Sequence, residues 1–130
     1  MTQFFDTNIL IYAHSDDARK LKALSYLEKG GAISVQVLNE FANVAQRKMG
    51  WTWDEIQAAI DDVVTFLDPV AELKIDDHRL ALTLCKQHHI SFYDALILAV
   101  ALRLGCRSLI SEDMQHGRKF GDLTIVNPFL

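Results

Sequence analysis

Four acidic residues stand in surroundings unlike those of ordinary surface carboxylates: Asp6 in Phe5-Asp6-Thr7-Asn8, Glu40 in Val37-Leu38-Asn39-Glu40-Phe41, Asp94 in Tyr93-Asp94-Ala95 and Asp113 in Ser111-Glu112-Asp113. Each has a structural use as well as a chemical one. Asp6 and Asp113 follow apolar runs, where an aspartate commonly caps a helix or makes an Asx turn. Glu40 lies at the border of an apolar helical stripe. There it can snorkel outward, pair with Arg47 one face-repeat later, or look into a cleft. Asp94 completes Ser91-x-x-Asp94, the spacing of a capping box. Brought together, the four would do different work. Clustered carboxylates repel by roughly 4 kcal/mol per pair at 4 Å with an effective dielectric near 20, so such a cluster requires a cation or raised pKa values. An all-oxygen donor set favours a hard ion, magnesium or manganese, over zinc. His14, His78, His88, His89 and His116 are scattered, and none is assigned as a ligand.

The elements that must deliver these acids follow from patterning. Gln3-Phe4-Phe5 reads as a short buried strand that ends at the turn-prone triplet Asp6-Thr7-Asn8, ahead of apolar Ile9 to Tyr12. A helix is predicted from about Ala18 to Glu28, with Asp16 or Asp17 as its cap and Gly30-Gly31 as its stop, then a brief strand from Ala32 to Ser34. Apolar residues at Val37, Leu38, Phe41, Val44, Ala45 and Met49 keep helical spacing up to Gly50. Thr52 can cap a third helix from Trp53 to Phe66, closed by Asp68-Pro69. A strand is predicted over Val70 to Ile75, a helix capped by Asp76 through about His88, and a helix from Ser91 to Leu104 that is apolar nearly all round. The last strands are Ser108 to Ile110 and Thr124 to Val126. Strands alternating with helices imply an α/β fold, a three-layer α/β/α sandwich on a mostly parallel sheet. In such sheets ligands bind beyond the carboxyl ends of the strands, the rim to which Asp6 and Asp113 both fall.

Composition narrows the classes. The 130 residues suit one domain spanning 1–130, and 50% hydrophobic with 23% charged residues is an ordinary globular balance. The longest apolar stretches are far short of the roughly 20 residues that span a bilayer, and the N-terminus lacks a basic leader region, so a cytoplasmic protein is expected. Cys85 and Cys106 lack zinc or disulfide spacing and read as reduced core residues. A net charge of -4 argues against a protein that coats nucleic acid through a broad basic face, though it allows binding of a local RNA segment. The pairs Arg19-Lys20, Arg47-Lys48 and Arg118-Lys119 could touch phosphate, but solvated surface is the simpler reading of each.

Taken in order, Phe5-Asp6-Thr7-Asn8-Ile9-Leu10, Glu40, Tyr93-Asp94-Ala95, Leu109-Ile110-Ser111-Glu112-Asp113-Met114 and the ending Gly121 to Phe129 resemble the PIN-domain nucleases, and within them the VapC-like toxins of toxin–antitoxin pairs. The resemblance spans nearly the whole chain. It implies that Asp6, Glu40, Asp94 and Asp113 are catalytic and metal-binding, with Thr7, Asn8 and Ser111 supporting them and Glu112 a neighbour. It further implies hydrolysis of RNA phosphodiesters by metal-activated water, with magnesium or manganese as cofactor, leaving a 5′-phosphate and a 3′-hydroxyl. As partners it implies a small VapB-like antitoxin and a second copy in a homodimer, for which Trp51, Trp53 and Phe120 are the available apolar candidates. Two other classes compete. A phosphotransfer domain, receiver-like or haloacid-dehalogenase-like, also puts an aspartate at a strand end, but Asp16-Asp17 and Asp61-Asp62 lie in helical contexts and Asp6-Thr7-Asn8 is not Asp-x-Asp. A catalytically silent PIN-like binding module would normally have lost acids that remain here.

Overall fold

A computed structural model describes residues 3–130. β1 (Gln3–Phe5), β4 (Ser108–Ile110) and β6 (Leu123–Val126) run parallel with β4 in the middle, and β5 (Lys119–Phe120) returns antiparallel along β6. β2 (Ile33–Ser34) and β3 (Val70–Ala71) form a parallel pair, tied to β1 by a bridge between Phe4 and Ala32. Phe5 donates its backbone N–H to Ala32 and Ala32 donates back to Gln3, so the two groups of strands are joined edge to edge. Phe4, Phe5, Leu109 and Ile110 alternate faces along their strands, yet all are buried. Both faces of the sheet are therefore covered, as the three-layer α/β/α reading requires.

Among the described residues six helices connect the strands: α1 (Thr7–Ala13), α2 (Lys20–Leu27), α3 (Val35–Arg47), α4 (Trp53–Phe66), α5 (Ile75–His88) and α6 (Phe92–Arg103). In α6 every residue from Ala95 to Ala101 is buried, which explains a segment apolar on all sides. α3 is the opposite kind of helix, with Val37, Phe41 and Ala45 inward and a polar face outward. Thr52 and Glu55 form a reciprocal capping box at the start of α4.

Several boundaries differ from the sequence reading. The triplet after β1 is not a free turn: Asp6 caps α1, its carboxylate accepting from the Thr7 N–H at 2.7 Å, so Thr7 and Asn8 are already helical. α2 starts later than Ala18, because Asp17 closes an Asx turn onto the Arg19 N–H and pairs with its guanidinium instead of capping. β3 stops at Ala71 and α5 is not capped by Asp76. Asp77 reaches back to the Lys74 N–H, while its two oxygens also take the Arg103 fork at 2.8 and 3.0 Å. Ser91 makes no side-chain cap, so the box expected with Asp94 does not form. β5 has no counterpart in the sequence reading. Its residue Phe120 belongs to the core, as does Cys106, and Trp51 packs on His14 and Phe41, leaving Trp53 as the exposed one of the three aromatic candidates. Cys85 and Cys106 are free thiols. Among the described residues no helix is long and apolar enough to cross a membrane.

Candidate metal centre

Three parallel strands end at one level, and the chain leaving two of them carries the acids. Asp6 follows β1 directly, its N–H donating to Ile110 of β4, and the Ser111 N–H at the end of β4 donates to Val126 of β6. Two residues beyond Ser111, Asp113 turns back toward Asp6. Asp94 enters from the first turn of α6. One carboxylate oxygen from each of Asp6, Asp94 and Asp113 lies within 4.8 Å of the others.

The supporting residues hold these acids by direct bonds. Ser111 donates its hydroxyl to Asp6 Oδ2 at 2.6 Å, and its oxygen accepts from the Asp113 N–H at 3.1 Å, so one buried serine sets the spacing of two carboxylates. Asn8 Nδ2 donates to Asp113 Oδ2 at 3.0 Å. Thr7 donates its hydroxyl to Glu40 Oε2 at 2.6 Å. Glu40 thus faces the same cleft from α3 but stands outside the close trio; among the described residues no ion pair joins it to Arg47, and Thr7 takes its place as partner. Glu112 points away, accepting from the Tyr12 hydroxyl and pairing with Arg19 at 3.1 Å, which fastens the loop after β4.

Electrostatically the trio is unfinished. Burial raises the Asp6 pKa to about 7; the Ser111 and Thr7 hydrogen bonds pull the other way, and the charges of Asp94 and Asp113 push it up further. Asp113 is raised as well, by desolvation and then by Asp94, Glu112 and Glu40. Among the described residues no Lys or Arg forms an ion pair with any of the three. Three converging carboxylate oxygens without a cationic side chain fit a hard divalent ion, which would offset both the burial and the like-charge repulsion that raise these pKa values.

The acids floor a cleft of about 500 Å³. Its walls include residues that the sequence reading did not assign to the site: Gln36, Asn43 and Val44 on α3, with Asn39 and Tyr93 beside Glu40 and Asp94. A usable signal existed, since Gln36, Asn39 and Asn43 share the helical face of Glu40 at three- and four-residue spacing.

The family model described as PIN domain matches residues 4–119. The chain belongs to the PIN domain family. Membership sets aside the receiver and phosphatase readings. No curated protein matches the chain. Among solved structures, this PIN domain is similar to a toxin–antitoxin complex from Klebsiella pneumoniae, with a TM-score of 0.75, 24% identity and 98% of each chain covered. It is also similar to Mycobacterium tuberculosis VapC20, described as a sarcin–ricin loop cleaving toxin, with a TM-score of 0.73 and 23% identity over 86% of this chain and 92% of that one. VapBC2 from Rickettsia felis, bound to a promoter DNA fragment, gives a TM-score of 0.67 and 23% identity over 96% and 97%. At these identities the likeness is one of fold.

Proposed function

We propose that this PIN domain is a magnesium- or manganese-dependent endoribonuclease and the toxin of a VapBC-like pair, active in the cytoplasm as one domain over 1–130. The observation that carries this reading is the convergence of Asp6, Asp94 and Asp113 oxygens within 4.8 Å at the floor of an open cleft. These three residues would hold the ion, and Glu40, oriented by Thr7, would complete the acidic wall from α3. When bound, the ion lowers the pKa of water and offsets charge on the scissile phosphate and leaving oxygen. The chain's own part is positional. Ser111 and Asn8 fix the carboxylates, and the amides of Asn39 and Asn43 offer neutral donors and acceptors to a strand lying in the cleft. A cognate VapB-like antitoxin and a homodimer are proposed from the fold likeness to toxin–antitoxin complexes.

Purified protein free of antitoxin is expected to cleave RNA with magnesium or manganese and to stop in EDTA. Asp94→Asn should lower the rate at least about 100-fold, the scale of losing a group that acts in the transition state. Full activity in EDTA would overturn the metal mechanism.

A further inference from the structure

The acid cleft does not end at Glu40. It adjoins a second cavity of about 270 Å³ that shares Asn43 and Val44 with it and is otherwise lined by Arg47 and Lys48. Asn39, Asn43 and Arg47 recur every fourth residue along α3, so they form one exposed stripe that leads out of the cleft. Arg47 lies two turns beyond Glu40, about 10 Å along the helix axis.

The two cations are free to act. Arg19, Lys74, Arg79 and Arg103 are each paired with an acid, whereas neither Arg47 nor Lys48 has an acidic partner among the described residues. A need for them is also visible. Every charged side chain lining the cleft is acidic and the chain carries a net charge of -4, so a polyanion approaching the acids meets repulsion unless positive charge is held nearby. An occupant that spans both cavities must present anionic groups at both ends of a narrow, linear path with polar groups between, and a single RNA strand has that form.

We propose that Arg47 and Lys48 form a phosphate-holding subsite, gripping the RNA backbone further along the strand from the bond cut at the acid cluster. This rests on the ribonuclease reading for the cleaved bond, but the binding itself can be tested apart from it. Phosphate contacts of this kind position the strand and carry no sequence preference.

The test uses a single-stranded RNA of about ten nucleotides, a span typical of strand-binding sites, with a fluorophore and a quencher at its ends. Wild-type protein is compared with the double substitution Arg47→Gln with Lys48→Gln, and with the charge-retaining pair Arg47→Lys with Lys48→Arg. The subsite predicts that KM rises about tenfold in the glutamine variant with kcat within about twofold. Anisotropy of the RNA labelled with the fluorophore alone should show a weaker salt dependence of binding, the log–log slope falling by about 0.7 to 1 for each phosphate that is no longer neutralised. The charge-retaining variant should behave as wild type. Unchanged KM and salt slope in the glutamine variant would overturn the proposal, as would a fall in kcat at constant KM, which would mark a merely structural role. Wild-type protein that binds the RNA with the same Arg47 and Lys48 dependence but never cleaves it would overturn the nuclease reading and leave the subsite standing. Protein that binds no RNA would overturn both.

Discussion

Asp6 shows how one residue can serve the scaffold and a proposed metal site at once. Its carboxylate caps α1 through the Thr7 N–H and accepts from Ser111, and it also presents an oxygen to the acid trio. Burial and like charges raise its pKa from 3.8 to about 7, so without divalent ions the folded state holds a proton that the unfolded chain has already released. The folded state binds more protons across that window, and stability due to Asp6 falls as pH rises from about 4 to about 7. Asn at this position cannot titrate. The stability of wild type relative to Asp6→Asn should therefore decline by a few kcal/mol at most across that range in EDTA, followed by urea unfolding. A difference that stays flat, or rises with pH, would contradict a raised Asp6. Sequence alone allows Asp6 to be a cap or a catalytic acid, and the geometry reconciles the two uses.

At the scale of elements, the acids converge because β1 and β4 are adjacent, parallel and in register, Phe5 opposite Ile110, so the residues that follow them leave the sheet side by side. The link from β1 to β2 is just as tight. Gly31 has φ +154°, and a Cβ there would come within 2.7 Å of the Gln3 carbonyl oxygen and of the Phe5 ring. Gly31→Ala should cost about 1–3 kcal/mol through overpacking against the strand that bears Asp6. Gly50→Ala, at φ +70° in open space, should cost only about 1 kcal/mol from the left-handed backbone. Equal losses for the two in chemical denaturation would refute the packing argument. Elements with strong periodicity, such as α3 and α4, are legible in the sequence, and α6 is legible by its unbroken apolar run. Helix starts are less so where an acid has two partners to choose from. Asp77 serves Lys74 and Arg103 together, and Asp17 serves Arg19, and nothing in a linear pattern ranks such rivals. β3 is found where a strand is predicted but stops at Ala71, while the two-residue β5 is too short to show a period and is defined by its pairing with β6.

Over the whole molecule, a net negative chain proposed to bind RNA must confine its positive charge, and the charges along α3 and its C-cap are divided by position, Glu40 within the cleft and Arg47 and Lys48 beyond it. The order of the four acids along the chain suggests a site. The structure brings three into one cluster and sets Glu40 at its edge, a distinction that depends on the Thr7 hydrogen bond and cannot come from spacing. If Asp6, Asp94 and Asp113 together hold a divalent ion, calorimetric titration of manganese into the antitoxin-free protein and into Asp94→Asn will separate the two proteins. Saturable binding to wild type at neutral pH with release of protons, weakened at least about tenfold by Asp94→Asn, is the predicted result. Equal manganese binding by the two proteins would contradict it.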